Sequence, residues 1–400
     1  MSGDHVPKQT DQDLAPLRIL HIGKYFPPHR GGIETFLRDL MVEQQRQGLT
    51  VSAVVHASER SIRSRHAIQK EQGEDLLVTR VARWFTAAFT PISPTFPFVL
   101  RRCLREQKPD VLHIHMPNLS PFWCLILPSA RHIPWVVHWH SDVLASIHSH
   151  ALRLLYRVYR PFEQVLLGRT ERIIATSPPY LETSEPLTNH RDRCTVVPLG
   201  IRNAPIGATE VGGEGEPQRV LRVLFVGRLA YYKGLSYLVE AVASLERVEL
   251  RVVGLGESAD ALQSLAFRTD AAHRIRFLGS LTDKELDSEI ASADCLCLPS
   301  IERTEAFGVV LLEAMRAGKS VIATRVSGSG MSWVVRAQET GVLVDPESVS
   351  SLAAALARLR DDTAFRRELG VNGRARFADH FGIERIAKQV SEVYQLAEQM

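Results

Sequence analysis

Short runs rich in Val, Ile, Leu and Phe alternate with longer helical segments along this chain, in two successive series. That alternation leaves few architectures open, because strands joined through helices pair in parallel and need cover on both faces. In the first series, Leu17–Gly23, Val51–His56, Val111–His115, Trp135–His140 and Arg172–Thr176 read as strands, with a helix over Ile33–Gln47. In the second, Val220–Val226, Glu249–Val253, Arg274–Leu278, Asp294–Leu298, Ser320–Thr324 and Gly341–Val344 read as strands, followed by helices Val349–Asp361 and Ile383–Glu398. Between the series, Asn203–Gln218 is polar and Gly-rich without periodicity, so it reads as a linker. The expectation is an α/β protein of two doubly wound parallel-sheet domains, 17–202 and 219–382. A disordered tail over 1–16 precedes them. With 400 residues and 45% apolar content, two full cores are possible.

The segment Pro299–Glu313, P-S-I-E-R-T-E-A-F-G-V-V-L-L-E, carries the strongest chemical signal. It predicts a strand end, an acidic loop, and a helix from about Phe307 to Arg316. Eight helical steps from Glu305 to Glu313 would span about 12 Å, roughly a hexose, a diphosphate and a ribose. Between the two carboxylates, Ala306, Phe307, Gly308 and Val309 would offer backbone N–H groups to phosphate, with Gly308 allowing close approach. A pair of glutamates alone is weak, since an amphipathic helix with solvated glutamates contains the same letters.

The flanks sharpen it. G-K-S-V-I-A-T (Gly318–Thr324), G-S-G (Gly328–Gly330) and T-G-V-L-V-D-P (Thr340–Pro346) follow in order, and V-L-F-V-G-R-L-A-Y-Y-K-G (Val223–Gly234) opens the second domain. Together these resemble glycosyltransferase family 4, over about residues 17–395. Lys319 departs from it, where many members carry proline. The resemblance implies the GT-B architecture: two facing Rossmann-like domains with the site in the cleft, and residues 383–400 crossing back onto the first. It implies that Arg228 and Lys233 contact donor phosphates, that Glu305 and Glu313 hold hexose and ribose, and that the backbone near Leu278 holds the base. Two cations at a strand end also suit a leaving diphosphate on physical grounds. Val253-Gly-Leu-Gly-Glu257 lacks the third glycine of a dinucleotide fingerprint and reads as a tight turn near the nucleotide.

In the first domain, Lys24–Glu34 (K-Y-F-P-P-H-R-G-G-I-E) leaves a strand for a helix. Gly31-Gly32 can bring bare amides to a phosphate, and the family has a matching glycine pair. Three H-x-H pairs occur, His113/His115, His138/His140 and His148/His150. Alternation puts each strand pair on one face, a possible metal geometry, but no carboxylate or cysteine recurs at ligand spacing. No metal and no cofactor are expected. His140, in V-V-H-W-H-S-D-V, matches the family's histidine beside the donor hexose and completes the catalytic set with Glu305, Arg228 and Lys233.

A formal charge of +3 implies no nucleic-acid partner. Residues 80–169, however, hold eleven basic against four acidic residues, among the aromatics of Arg83–Arg105 and Ala151–Arg169. This suggests an anionic membrane or a diphosphate-bearing acceptor, or else a buried helix with snorkelling arginines. No stretch is long and apolar enough to span a bilayer, residues 1–16 are not a signal peptide, and five scattered cysteines suit a reduced, cytoplasmic chain. The whole reads as a retaining transferase at the cytoplasmic membrane face. It resembles bacterial exopolysaccharide and O-antigen mannosyltransferases, which implies GDP-mannose as donor and a polyprenyl-diphosphate-linked saccharide as acceptor. A UDP-sugar transferase, a UDP-sugar 2-epimerase and a silent polysaccharide-binding scaffold are the alternatives.

Overall fold

The computed structural model describes residues 16–87, 90–143, 150–204 and 220–399; nearly all of the expected tail and linker lies outside these. The first sheet has eight strands: β1 (Arg18–Ile22), β2 (Thr50–His56), β3 (Arg65–Glu71), β4 (Glu74–Val81), β7 (Val111–Met116), β8 (Trp135–Trp139), β9 (Arg172–Ala175) and β10 (Cys194–Val196). Their order is β10-β9-β8-β7-β1-β2-β4-β3. Between β4 and β7 lies a separate small hairpin, β5 (Phe85–Ala87) and β6 (Thr90–Ile92). The second sheet, β11 (Leu221–Val226), β12 (Val248–Val253), β13 (Ile275–Gly279), β14 (Cys295–Leu298), β15 (Ser320–Thr324) and β16 (Val342–Val344), has the order β13-β12-β11-β14-β15-β16 and is wholly parallel.

All six second-sheet strands fall where the apolar runs predict them. In the first sheet, β3, β4 and β10 are additions. β3 is polar and largely exposed, so it lacks a buried strand's apolar signature. It pairs antiparallel with β4 through Gln72-Gly73, both at positive φ, as a two-residue hairpin turn requires. The motif helix covers Val309–Arg316, later than expected, because Gly308 at φ 80° and ψ 57° is its left-handed N-cap. Only four helical steps separate Val309 from Glu313, so the eight-step span does not apply.

Strand order reverses between β1 and β7 in one sheet and between β11 and β14 in the other. Crevices open beyond the carboxyl ends at such points. The segments after β1, β8, β11 and β14 contain Gly31-Gly32, His140, Arg228–Lys233 and Glu305, so the topology collects the expected site.

The C-terminal helix Ile383–Glu398 crosses back onto the first half. Its buried stripe, Ile386, Ala387, Val390, Val393, Tyr394 and Ala397, follows helical periodicity. Ile201 N donates to Phe381 O (3.1 Å) and Ile383 N to Ile201 O (3.1 Å), pinning the crossing. Gly200 sits against it so tightly that a Cβ would lie 2.6 Å from Ile386 Cγ1 and 2.8 Å from Phe381 O. Gly200→Ala is therefore expected to lower unfolding free energy by about 1–3 kcal/mol, as overpacking does. A urea midpoint equal to wild type would refute it.

Candidate active site

The loops after β11 and β14 are stitched together. Gly234, at φ 63°, packs against the Pro299 carbonyl so closely that a Cβ would clash, and Ile301 N donates to Tyr232 O at 2.8 Å. This brings Lys233 Nζ into an ion pair with Glu305 Oε2, both side chains nearly buried. Burial lowers the Lys233 pKa, but the Glu305 carboxylate and Tyr232 outweigh it and leave the ammonium above its ordinary range. Ser300 Oγ donates to Glu305 Oε2 (3.4 Å) and Ser329 Oγ to the Glu305 carbonyl (2.5 Å). The expected G-S-G segment therefore supports the motif loop, with Gly330 N donating to Ala306 O (2.8 Å). Arg228 is half-exposed and paired with Glu257 at 3.0 Å. Both cations thus stand paired with carboxylates.

Glu313 is the fifth residue of the motif helix, at the start of its second turn. Its carboxyl makes no hydrogen bond to a described residue, and burial raises its pKa to about 7 against a partial opposing pull from Arg316. The N-cap Gly308 provides no side-chain cap for this helix. Opposite it, Gly31 N-caps the helix Gly32–Arg46, also without a side-chain cap, and the Glu34 carboxylate folds against it. A Cβ on Gly32 would lie 3.3 Å from Val309 Cγ2, so the two helix N-termini face each other across the cleft. Phe307 and Ala306 are buried. Leu278 is partly buried at the end of β13, whose Gly279 carbonyl accepts from Gly254 N (2.8 Å). Arg30 Nη1 reaches Ser280 Oγ (3.2 Å) across the halves. Lys319, the departure from family pattern, is buried and donates to Ala291 O (2.6 Å), away from the motif loop.

His140 follows β8, with its amide donating to Met116 O (3.0 Å). Desolvation lowers its pKa to about 3, so it is neutral. His113, His115 and His138 are likewise buried with lowered pKa values. His148 lies outside the described residues, and His150 opens the helix His150–Arg169.

Three residues join the site that motif reading did not single out. Asp142 accepts from Trp139 Nε1 (2.8 Å), Ser184 Oγ (2.7 Å) and Arg303 Nη1 (2.7 Å). Arg303, in the acidic loop itself, also stacks 4.4 Å from the Tyr180 ring and ties that loop to the first half. Lys24, partly buried beside Glu34 and Arg228, has its pKa lowered mainly by desolvation. The signal for Asp142 and Arg303 was their place inside quoted motifs, but a pairing 161 residues apart has no local signature.

Two facing doubly wound sheets with paired glutamates and cations at their switch points define a GT-B glycosyltransferase. Residues 31–200 match the family described as Glycosyl transferase 4-like domain, and 210–376 match Glycosyl transferases group 1. The chain belongs to this family-4 group of hexosyltransferases. It is 27% identical over 394 residues to O-antigen chain mannosyltransferase C of Escherichia coli, covering 94% of this chain and 98% of that one. It is 31% identical over 279 residues to D-rhamnosyltransferase WbpZ of Pseudomonas aeruginosa, covering 68% and 70%. Among solved structures, sucrose-phosphate synthase from Thermosynechococcus elongatus aligns over 95% of this chain and 98% of that one, with TM-score 0.75 and 23% identity. The family places the chain among transferases rather than epimerases or silent scaffolds.

The raised Glu313 pKa has a signed consequence. Between the unfolded value of 4.5 and the folded value of about 7, the native state holds the extra proton. Its stabilising contribution is therefore full below that window and lost as pH rises through about 7. Glu313→Gln is expected to unfold at a higher urea concentration than wild type at pH 8 and at the same concentration at pH 4. The reverse order would show that the carboxylate is stabilised in the fold.

Proposed function

We propose that this transferase moves mannose from GDP-mannose, with retention, onto a polyprenyl-diphosphate-linked saccharide in bacterial cell-surface polysaccharide synthesis. The observation that carries the reading is the convergence of Lys233–Glu305, Glu313 and two helix N-termini with glycine at the N-cap on one cleft. The diphosphate lies between those N-termini, where amides and helix dipoles favour anions. Gly31, Gly32 and the backbone of Ala306–Val309 face it. Glu313 accepts from the ribose diol, Glu305 and His140 meet hexose hydroxyls, and backbone at Leu278 borders the base. When the hexose–oxygen bond breaks, negative charge grows on the leaving diphosphate, and Arg228 with Lys233 stabilises it. The two cations supply what a bound metal would otherwise supply, so the reaction is proposed to need none. Mannose is favoured by the family resemblance and by the name of the Escherichia coli relative. A donor-hydrolysis screen over GDP- and UDP-sugars, with and without chelator, tests donor and metal together. Preference for a UDP-sugar would overturn the donor assignment.

Lys233→Ala is expected to lower kcat by about 100-fold, by analogy with a lost oxyanion donor, while weakening donor binding less. A normal kcat with only a raised KM would contradict the transition-state role.

The acceptor side supports docking on an anionic membrane. Among the described residues, no helix is long and apolar enough to cross a bilayer. Yet the helix His150–Arg169 exposes Leu154, Leu155, Val158, Phe162 and Val165 beside exposed Arg153 and Arg157. Phe162 packs at a tilt against Phe122, next to exposed Trp123 and Ile126, and Phe98 on the helix Phe96–Gln107 is 75% exposed. Phe96 and Tyr156 are buried instead and Tyr159 is partly buried, so these three do not form the face; Phe89 lies outside the described residues. Arg160 is paired with Glu185 (2.8 Å). Each basic residue near an anionic surface contributes about 1 kcal/mol, added to the apolar face. Vesicles containing anionic lipid should bind the protein, and Arg153→Gln with Arg157→Gln should weaken binding while donor hydrolysis stays intact. Equal partitioning onto neutral vesicles would rule the electrostatic part out.

A further inference from the structure

Five imidazoles share one face of the first sheet. His21 lies beside His113 in the β1–β7 register, and His115 beside His138 in the β7–β8 register, with His140 beyond. All are buried. A neutral imidazole has one N–H and one lone pair, so a ring within a hydrogen-bonded row must pass on the polarity it receives.

Such a row exists. Gln44 Oε1 meets His21 Nε2 (2.9 Å), His21 Nδ1 meets His115 Nε2 (3.1 Å), and His115 Nδ1 meets His140 Nε2 (3.0 Å). At its far end, Gln44 Nε2 donates to Tyr394 Oη (2.8 Å), and that hydroxyl donates to His113 Nδ1 (2.6 Å). With its nitrogen committed to Tyr394, Gln44 can only accept from His21. His21, His115 and His140 must then each carry hydrogen on Nε2. His140 Nδ1 is left as a lone pair, buried and without a hydrogen-bond partner among the described residues. Turning the Gln44 amide over would reverse every link and put hydrogen on His140 Nδ1.

We propose that Gln44 and Tyr394 are positioning residues that hold His140 as the Nε2–H tautomer, so that Nδ1 accepts a hydroxyl hydrogen from the donor hexose. The sugar clause rests on the transfer reading above; the row does not. Tyr394 comes from the C-terminal helix, so the crossing that joins the halves also sets the polarity of a group at the cleft.

Nitrogens of the five rings form two triads within 4.8 Å, His21–His113–His115 and His115–His138–His140, close enough to raise a metal site. However, two rings stack within each triad, His113 with His115 at 4.5 Å and 22° and His138 with His140 at 4.4 Å and 4°. Lone pairs lie in the ring planes, so those of stacked rings run side by side rather than converging on one ion. A metal would also have to displace hydrogens that the row already uses.

Long-range proton–nitrogen spectra of the full chain labelled in histidine, without nucleotide, distinguish the tautomers; His140→Asn assigns the resonance. The expected result is a single Nε2–H form of His140 that persists when Zn²⁺ is added. Gln44→Leu and Tyr394→Phe should each introduce the Nδ1–H form. An even mixture would halve the competent fraction and lower kcat about twofold, with nucleoside diphosphate affinity unchanged. Tyr394→Phe removes one oxygen, so the test survives if Gln44→Leu does not fold. An Nδ1–H form in wild type, an unchanged tautomer in the folded variants, or loss of the Nε2–H signals on adding Zn²⁺ would overturn the proposal. A tautomer change with unaltered kcat upholds the row and removes the sugar contact.

Discussion

The return of helix Ile383–Glu398 onto the first sheet is the packing on which the cleft depends. Two parallel sheets on one chain have no inherent reason to present their carboxyl ends to each other. Here the apolar stripe from Ile386 to Ala397 is buried by the first half, and the Ile201–Gly382 bridge fixes where the crossing begins. Much of the second half's core and one face of the first half's thereby form a continuous apolar cluster. Burial of that area supplies the association, and backbone pairing at Ile201 supplies the register.

Close approach within the cleft is secured by residues without side chains. Gly234 admits the Pro299 carbonyl, and Gly308 at positive φ would meet Leu298 and Leu311 if it carried a Cβ. Both positions combine a left-handed backbone with crowding, which glycine alone meets without strain. They set the separation of the loops that carry Lys233 and Glu305, and so they govern the electrostatics indirectly.

Those electrostatics rest on three ion pairs. Lys233 with Glu305 and Arg303 with Asp142 are buried or nearly buried pairs, whose separate charges would be costly to leave alone. Arg228 with Glu257 is solvated and contributes little to stability. In the proposed transfer, a diphosphate entering between the helix N-termini offers the cations a second anion, while the Arg303–Asp142 pair holds the motif loop against the first half.

Much of this was legible in the sequence because it is local. Apolar runs mark all six strands of the second sheet, and the spacing of Glu305, Gly308 and Glu313 marks a loop entering a helix. Alternation also places His113 with His115, and His138 with His140, on one face. The polar strand β3 left no such mark, since its exposed side chains follow no burial pattern. Gly308 was visible as a residue, but its left-handed cap, which delays the helix to Val309, depends on the chain around it. What only the tertiary structure decided is which distant groups become neighbours. Arg303 with Asp142, Lys233 with Glu305, and Tyr394 with Gln44 and His113 are each brought together by sheet order and by the returning helix. A side chain's identity is written at its own position; its partner, and hence its charge state or tautomer, is set by packing of segments far apart along the chain.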